Sequence, residues 1–176
     1  VVSNRVHGNS TRGIYAYGSA MVSENAVYGH TGSGDEGIYL YGATASGNEV
    51  YDNYCGIETY AYASSTLAGN RVFHNSAEGI LASGYDTVRG NYVYTNSVGI
   101  QAQYNVDVLE NNLVYGNTNH GIWVYGSTLG LEVVNNTVYQ EVGDAVRVTN
   151  SSQNVSLRNN VLMVEANYDD EMLVHG

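Results

Sequence analysis

Proline and lysine are absent from the 176 residues, and cysteine, phenylalanine and tryptophan occur once each. Each gap excludes something. A chain without proline keeps every backbone N–H available, as densely paired strands require. Six arginines against 17 acids leave a formal net charge of −11. No basic stripe exists to displace counterions from polyphosphate, which excludes nucleic acid as a partner. Anionic membrane surfaces are disfavoured for the same reason, and no apolar run reaches the ~18 residues of a membrane span, so membrane insertion is not expected. Cys55 has no second cysteine to pair with, so cysteine usage is silent on compartment. The five histidines include no pair at the His-x-x-x-His spacing that zinc favours. Gly-x-Ser-x-Gly, a phosphate-binding glycine loop and an EF-hand loop are all missing. No initiating methionine or leader-like segment opens the chain. Residues 1–176 are therefore expected to form one domain, a fragment of a larger protein.

What is present repeats. Asn4, Asn25, Asn48, Asn70, Asn91, Asn112, Asn136 and Asn160 recur at intervals of 21 to 24 residues, each followed two positions later by Val or, once, Leu. Five positions after each comes Asn9, His30, Asn53, Asn75, Asn96, Asn117, Glu141 or Glu165. Such a period along the whole chain means stacked coils of a solenoid. The residue before the Asn is Gly or Asn in every later coil, which marks a corner at positive φ, with Glu24 the expected exception. Stacked amides are expected to hydrogen-bond from coil to coil.

A second segment opens with Gly-Ile in six coils, from Gly13-Ile14 to Gly121-Ile122, and with Ala145-Val146 in the seventh. Its period of two points Ile14, Ile38, Ile57, Ile80, Ile100, Ile122 and Val146 inward, and the intervening residues outward. Short strands separated by corners leave no room for crossover helices, so the strands of successive coils pair in parallel, ~4.8 Å apart. Leucine-rich repeats lack their Leu frame here, and propeller blades need about twice the period.

The phrase Asn-x-Val-x-x-Asn with its Gly-Ile strands resembles the right-handed parallel β-helix repeat family, which includes pectate lyases, alginate C5-epimerases and bacterial surface proteins. The likeness covers about residues 3–165. It implies an all-β, single-stranded, right-handed parallel β-helix of seven or eight coils of 21 to 24 residues. It also implies an extracellular or cell-surface setting and a polysaccharide or glycan surface as partner. The Asp-Pro-His-Glu signature of the alginate epimerases cannot occur in a chain without proline, so no catalytic residue carries over.

Two outward columns follow from the alternation. One reads Tyr15, Tyr39, Glu58, Leu81, Gln101, Trp123 and Arg147; the other reads Tyr17, Tyr41, Tyr60, Ser83, Gln103, Tyr125 and Thr149. Exposed rings can stack on sugar faces while Gln101 and Gln103 reach hydroxyls, which makes Tyr15, Tyr17, Tyr39, Tyr41, Tyr60, Trp123 and Tyr125 candidate glycan contacts. Stacking between coils for stability alone is the competing reading of the same rings. A further aromatic column, His7, Tyr28, Tyr51, Phe73, Tyr94, Tyr115 and Tyr139, ending at Met163, runs almost unbroken and reads as a structural spine.

Departures from the repeat are the catalytic candidates. Before the Gly-Ile strand stand Arg12, Glu36, Cys55, Glu78, Val98, His120 and, in the seventh coil, Val142. Glu36, Glu58 and Glu78, with Arg12 and Tyr39, offer acid–base chemistry, and neighbouring coils can hold two carboxyls at a glycosidase separation. Solvated acids on an acidic protein are the simpler reading. No cofactor is required; calcium is the one metal left open, at Asp35 and Glu36 or at Asp169, Asp170 and Glu171. Three functions remain: a non-catalytic extracellular segment with a carbohydrate-binding or adhesive aromatic face, a polysaccharide lyase, epimerase or hydrolase, and a plain spacer. No amphipathic segment covers the terminal coils, so end-to-end self-association is also expected.

Overall fold

The computed structural model describes residues 1–126, 130–149 and 152–165. Every regular element among them is a strand, and every strand pair is parallel and joins one coil to the next. Three sheets wrap one core. Sheet 1 has eight strands, from Arg5–His7 to Val161–Val164. Sheet 2 has seven, from Ile14–Tyr17 to Asp144–Thr149, and sheet 3 has seven, from Met21–Ser23 to Ser156–Arg158. This is a parallel β-helix, and the sequence period maps onto it one repeat per coil.

Each coil sends one apolar stripe inward from every sheet. Val27, Val50, Val72, Val93, Val114 and Val138 come from sheet 1; Ile38, Ile57, Ile80, Ile100 and Ile122 from sheet 2; Val22, Leu67, Val88, Leu109 and Val133 from sheet 3. All of these are fully buried. A buried Val, Leu or Ile contributes roughly 1.5–3 kcal/mol, so the stack is held chiefly by this filled interior. Leu157, in the last described coil, is 39% exposed because less of the stack lies over it.

The recurrent Asn column is a continuous amide ladder. Asn48 Nδ2 donates to Asn70 Oδ1 at 2.9 Å, Asn70 to Asn91 at 3.0 Å, and Asn91 to Asn112 at 3.0 Å, while each backbone N–H donates to the same oxygen. The second column does the same through His30, Asn53, Asn75, Asn96 and Asn117. It then continues through Gln140, whose Oε1 accepts from Asn117 N at 3.0 Å, and not through Glu141, which is exposed. The strand Thr137–Gln140 runs one residue longer than its predecessors, so the inward polar position arrives one residue early, and Val164 rather than Glu165 registers with Gln140. Glu24 is no exception at the corner: its φ is 57°, like that of Gly47, Gly69 and Gly90.

The Gly of each Gly-Ile pair has a steric role that the corner argument does not supply. A Cβ on Gly56 would lie 2.4 Å from Gly79 O and 2.6 Å from a methyl of Val72. The backbone thus passes too close to the next coil and to the Val column for any side chain.

Candidate functional site

Sheet 2 has the longest strands, and its outward face gathers the candidate contacts. Registers place Tyr15 beside Tyr39, Tyr39 beside Glu58, Glu58 beside Leu81, Leu81 beside Gln101, Gln101 beside Trp123, and Trp123 beside Arg147. The second column also aligns, with Tyr17 beside Tyr41, Gln103 beside Tyr125, and Tyr125 beside Thr149.

The tyrosine rings of this face are engaged with one another. Tyr17, Tyr41 and Tyr60 form one stack with centroids 4.7 and 4.5 Å apart and interplanar angles of 26° and 23°. Tyr62 closes the end of that stack edge-on at 5.7 Å. Tyr15 and Tyr39 stack at 5.6 Å. Ring faces inside these stacks are covered, which leaves edges and hydroxyls toward solvent; the outer ring Tyr17 is 65% exposed. On sheet 1 the His7–Tyr28–Tyr51–Phe73–Tyr94–Tyr115 column stacks at 4.8 to 5.1 Å, as a structural spine would.

Arg12, Glu36, Glu58 and Tyr39 converge at one end of the face. Arg12 Nε donates to the buried Glu36 carboxylate at 2.7 Å, and its guanidinium lies 4.2 Å from the Tyr39 ring centroid. Burial pushes the Glu58 carboxyl from its ordinary 4.5 up to about 7; repulsion from Glu36 and a side-chain hydrogen bond with Glu36 add to this, and Arg12 opposes it. The Glu58 carboxyl, when protonated, can donate to Glu36. The same surroundings raise the Tyr39 hydroxyl, through burial first and then Glu58. Cys55 lies free and buried next to these acids, and burial pushes its thiol well up.

The raised Glu58 carboxyl has a consequence for stability. A folded-state carboxyl raised above its unfolded value is stabilising when protonated, and the stabilisation is lost as pH rises from 4.5 through about 7. Denaturation of the wild-type chain is expected to show stability falling across that window, and Glu58→Gln is expected to flatten the fall. An unchanged slope in the variant would assign the pH dependence to other groups.

At the other end of the face the geometry differs. Gln103 Nε2 donates to Ser83 Oγ at 2.8 Å, and Gln101 Nε2 approaches Gln103 Oε1 at 3.5 Å. Gln101 is 9% exposed, and its Oε1 has no hydrogen-bond partner. Trp123 is held by a bond from Nε1 to Thr149 Oγ1 at 2.8 Å. It meets His120 and Tyr125 at interplanar angles of 62° and 73°, so neither neighbour lies flat on the indole.

His120 Nδ1 lies 3.2 Å from Asp144 Oδ2, and burial lowers its pKa while Asp144 opposes that shift. The seventh residue of this column is therefore Asp144, in register with His120, and not Val142. Asp144 directly precedes Ala145 as His120 precedes Gly121, whereas Val142 lies two residues before that position, ahead of the turn at Gly143, φ 72°. Repeat counting missed one further polar node. The buried Asp86 accepts from Thr59 Oγ1 at 2.5 Å and from the N–H groups of Ser65, Ser83 and Gly84 at 2.8 to 3.2 Å, tying the 60–65 turn to the coil above.

The calcium candidates Asp35 and Glu36 each make a contact within the protein. Asp35 Oδ2 accepts from Gly32 N at 3.0 Å within its own turn, and Glu36 is bound to Arg12. Asp169, Asp170 and Glu171 lie outside the described residues. Among the described residues no three His, Cys, Asp or Glu side chains converge as a metal cage.

With this architecture established, the sequence matches the family described as the right handed beta helix region over residues 1–138 and 87–168. The chain belongs to that family. Its right-handed winding places it among solved β-helices such as the periplasmic alginate epimerase AlgG, with a TM-score of 0.71 at 19% identity over 92% of this chain. A double mutant of the same enzyme superimposes with a TM-score of 0.70 at 18% identity over 92% of the chain. The chain spans 43% of the first of these structures and 47% of the second. At such identity the β-helix likeness establishes the fold alone. No curated protein sequence matches this chain.

Proposed function

We propose that this β-helix is a non-catalytic glycan-binding segment of a secreted or surface-exposed protein, with the outward face of sheet 2 as its contact surface. The observation that carries this reading is the seven-coil register, which gathers tyrosines, two glutamines and the sole tryptophan on one face. Phenol, amide and indole groups on a flat, extended surface suit an extended chain of hydroxyl-bearing rings. The β-helix neighbours are periplasmic enzymes of a polysaccharide, which supports both a carbohydrate ligand and a location outside the cytoplasm.

A glycan array with the intact chain is expected to return polysaccharide hits. The double variant Tyr39→Ala/Trp123→Ala should lose about tenfold or more in affinity, on the scale of one or two lost ring contacts. Tyr92, 54% exposed on sheet 1, is the control, and Tyr92→Ala should bind as wild type. An empty array, or a loss caused by Tyr92→Ala instead, would end this reading.

One observation favours a second reading. Glu58 holds a proton up to about 7 beside Arg12 and Tyr39, as an acid–base catalyst would. Release of unsaturated products or new reducing ends from a polysaccharide, abolished by Glu58→Gln, would replace binding with turnover.

A further inference from the structure

We propose that Gln101, Gln103 and Trp123 form a subsite for a neutral, hydroxyl-rich sugar ring. This narrows the glycan-binding reading and rests on it.

The argument starts from an incomplete relay. Ser83 Oγ, the Gln103 amide and the Gln101 amide form a chain of hydrogen bonds that stops at Gln101 Oε1. A buried amide end without a partner is costly, so one more group reaching this end would be stabilising. Reversing both amides moves the open end from an acceptor to a donor without closing it. A hydroxyl both donates and accepts, so it completes the relay in either arrangement. A carboxylate, which only accepts, can complete the relay in the reversed arrangement alone.

The indole supplies the second half of the site. Trp123 sits beside Gln101 in the adjacent coil, ~4.8 Å away along the stack. Its Nε1 bond to Thr149 fixes the ring plane, and no aromatic neighbour lies parallel to it. The tyrosine stacks at the other end of the face, by contrast, cover each other's surfaces. A pyranose lying against Trp123 therefore brings its hydroxyls to the glutamine relay.

Charge selects the class of sugar. The cation next to Trp123 is Arg147, whose Nη1 lies 3.5 Å from the Asp144 carboxylate, and Asp144 also faces His120 at 3.2 Å. Farther along the face, Arg12 is held by Glu36 while Glu58 and Glu78 add acidity. An acidic sugar meets no cation lacking a carboxylate partner here, against a chain of net charge −11.

The test uses the single tryptophan as its reporter. The intact chain is titrated with neutral hexa-oligosaccharides (glucan, mannan and xylan series) and with oligouronates, exciting at the red edge where tyrosine does not absorb. Neutral oligomers are expected to shift and quench Trp123 emission, with little dependence on salt. Measured by calorimetry, Gln101→Leu should weaken that binding about tenfold, the scale of one hydrogen bond to a buried acceptor. Trp123→Ala gives the same readout should the leucine variant fold poorly, with circular dichroism verifying the β-helix in each. Neutral-sugar binding untouched by either substitution, or binding of oligouronates alone, overturns the subsite and leaves glycan binding by the face standing. Binding of no oligosaccharide overturns both.

Discussion

Asn91→Leu is expected to destabilise the chain by about 4 kcal/mol, the largest effect of any single substitution proposed for it. Asn91 is fully buried. Its Oδ1 accepts from both Asn70 N and Asn70 Nδ2, and its Nδ2 donates to Leu67 O, Arg89 O and Asn112 Oδ1. Leucine fills similar space but strands the two Asn70 donors and the Leu67 carbonyl away from water, at about 1–3 kcal/mol for each group left unsatisfied. Urea denaturation monitored by circular dichroism would measure the loss. Asn4→Leu, at the exposed first coil, is the matching control and should cost far less, because water can replace its partners. Equal losses at the two sites would show that the ladder contributes nothing through burial.

The second large effect is expected at Gly99. In Gly99→Ala the new methyl lies 2.5 Å from Gly121 O, 2.6 Å from Val114 Cγ1 and 2.8 Å from Asn117 Nδ2. Relief requires the neighbouring backbone to move, at about 2–3 kcal/mol. Gly90→Ala provides the contrast. Its Cβ meets nothing within 4 Å, but φ is 62°, so only backbone strain of about 1 kcal/mol is incurred. Thermal unfolding of both variants should rank Gly99→Ala as the more damaged. The opposite ranking would mean that coils separate easily and that the close approach is not structural.

The repeat made the fold legible because one physical constraint is imposed again in every coil. Asn, Val and Ile recur where a corner, a core stripe and a strand recur, so period and alternation together set sheets, register and interior. The same logic failed wherever a coil departs in length. Gln140 carries the second ladder because Thr137–Gln140 extends by a residue, which counting does not supply. Asp144, by contrast, directly precedes Ala145 as His120 precedes Gly121, so the strand frame itself places it in the column and leaves Val142 out.

The face of sheet 2 was legible as a face, but what its side chains do there was not. Alternation says that Tyr17, Tyr41 and Tyr60 point outward; it cannot say that their rings turn onto one another. It places Glu36 and Glu58 on neighbouring coils, yet their contact depends on burial and on Arg12 holding Glu36 in place. Asp86 escaped notice entirely because its partners come from two turns that the repeat does not describe.

Because the Asn column joins one coil to the next by the same contact in every lap, the rod can change length only in whole laps. Excising residues 70–90 would bring Asn48 directly under Asn91 and shorten the distance between the tyrosine stacks and Trp123 by a single step of ~4.8 Å. The molecule is thus a ruler with fixed graduations, on which contact points for a long ligand can be spaced by adding or removing laps while each keeps its local shape.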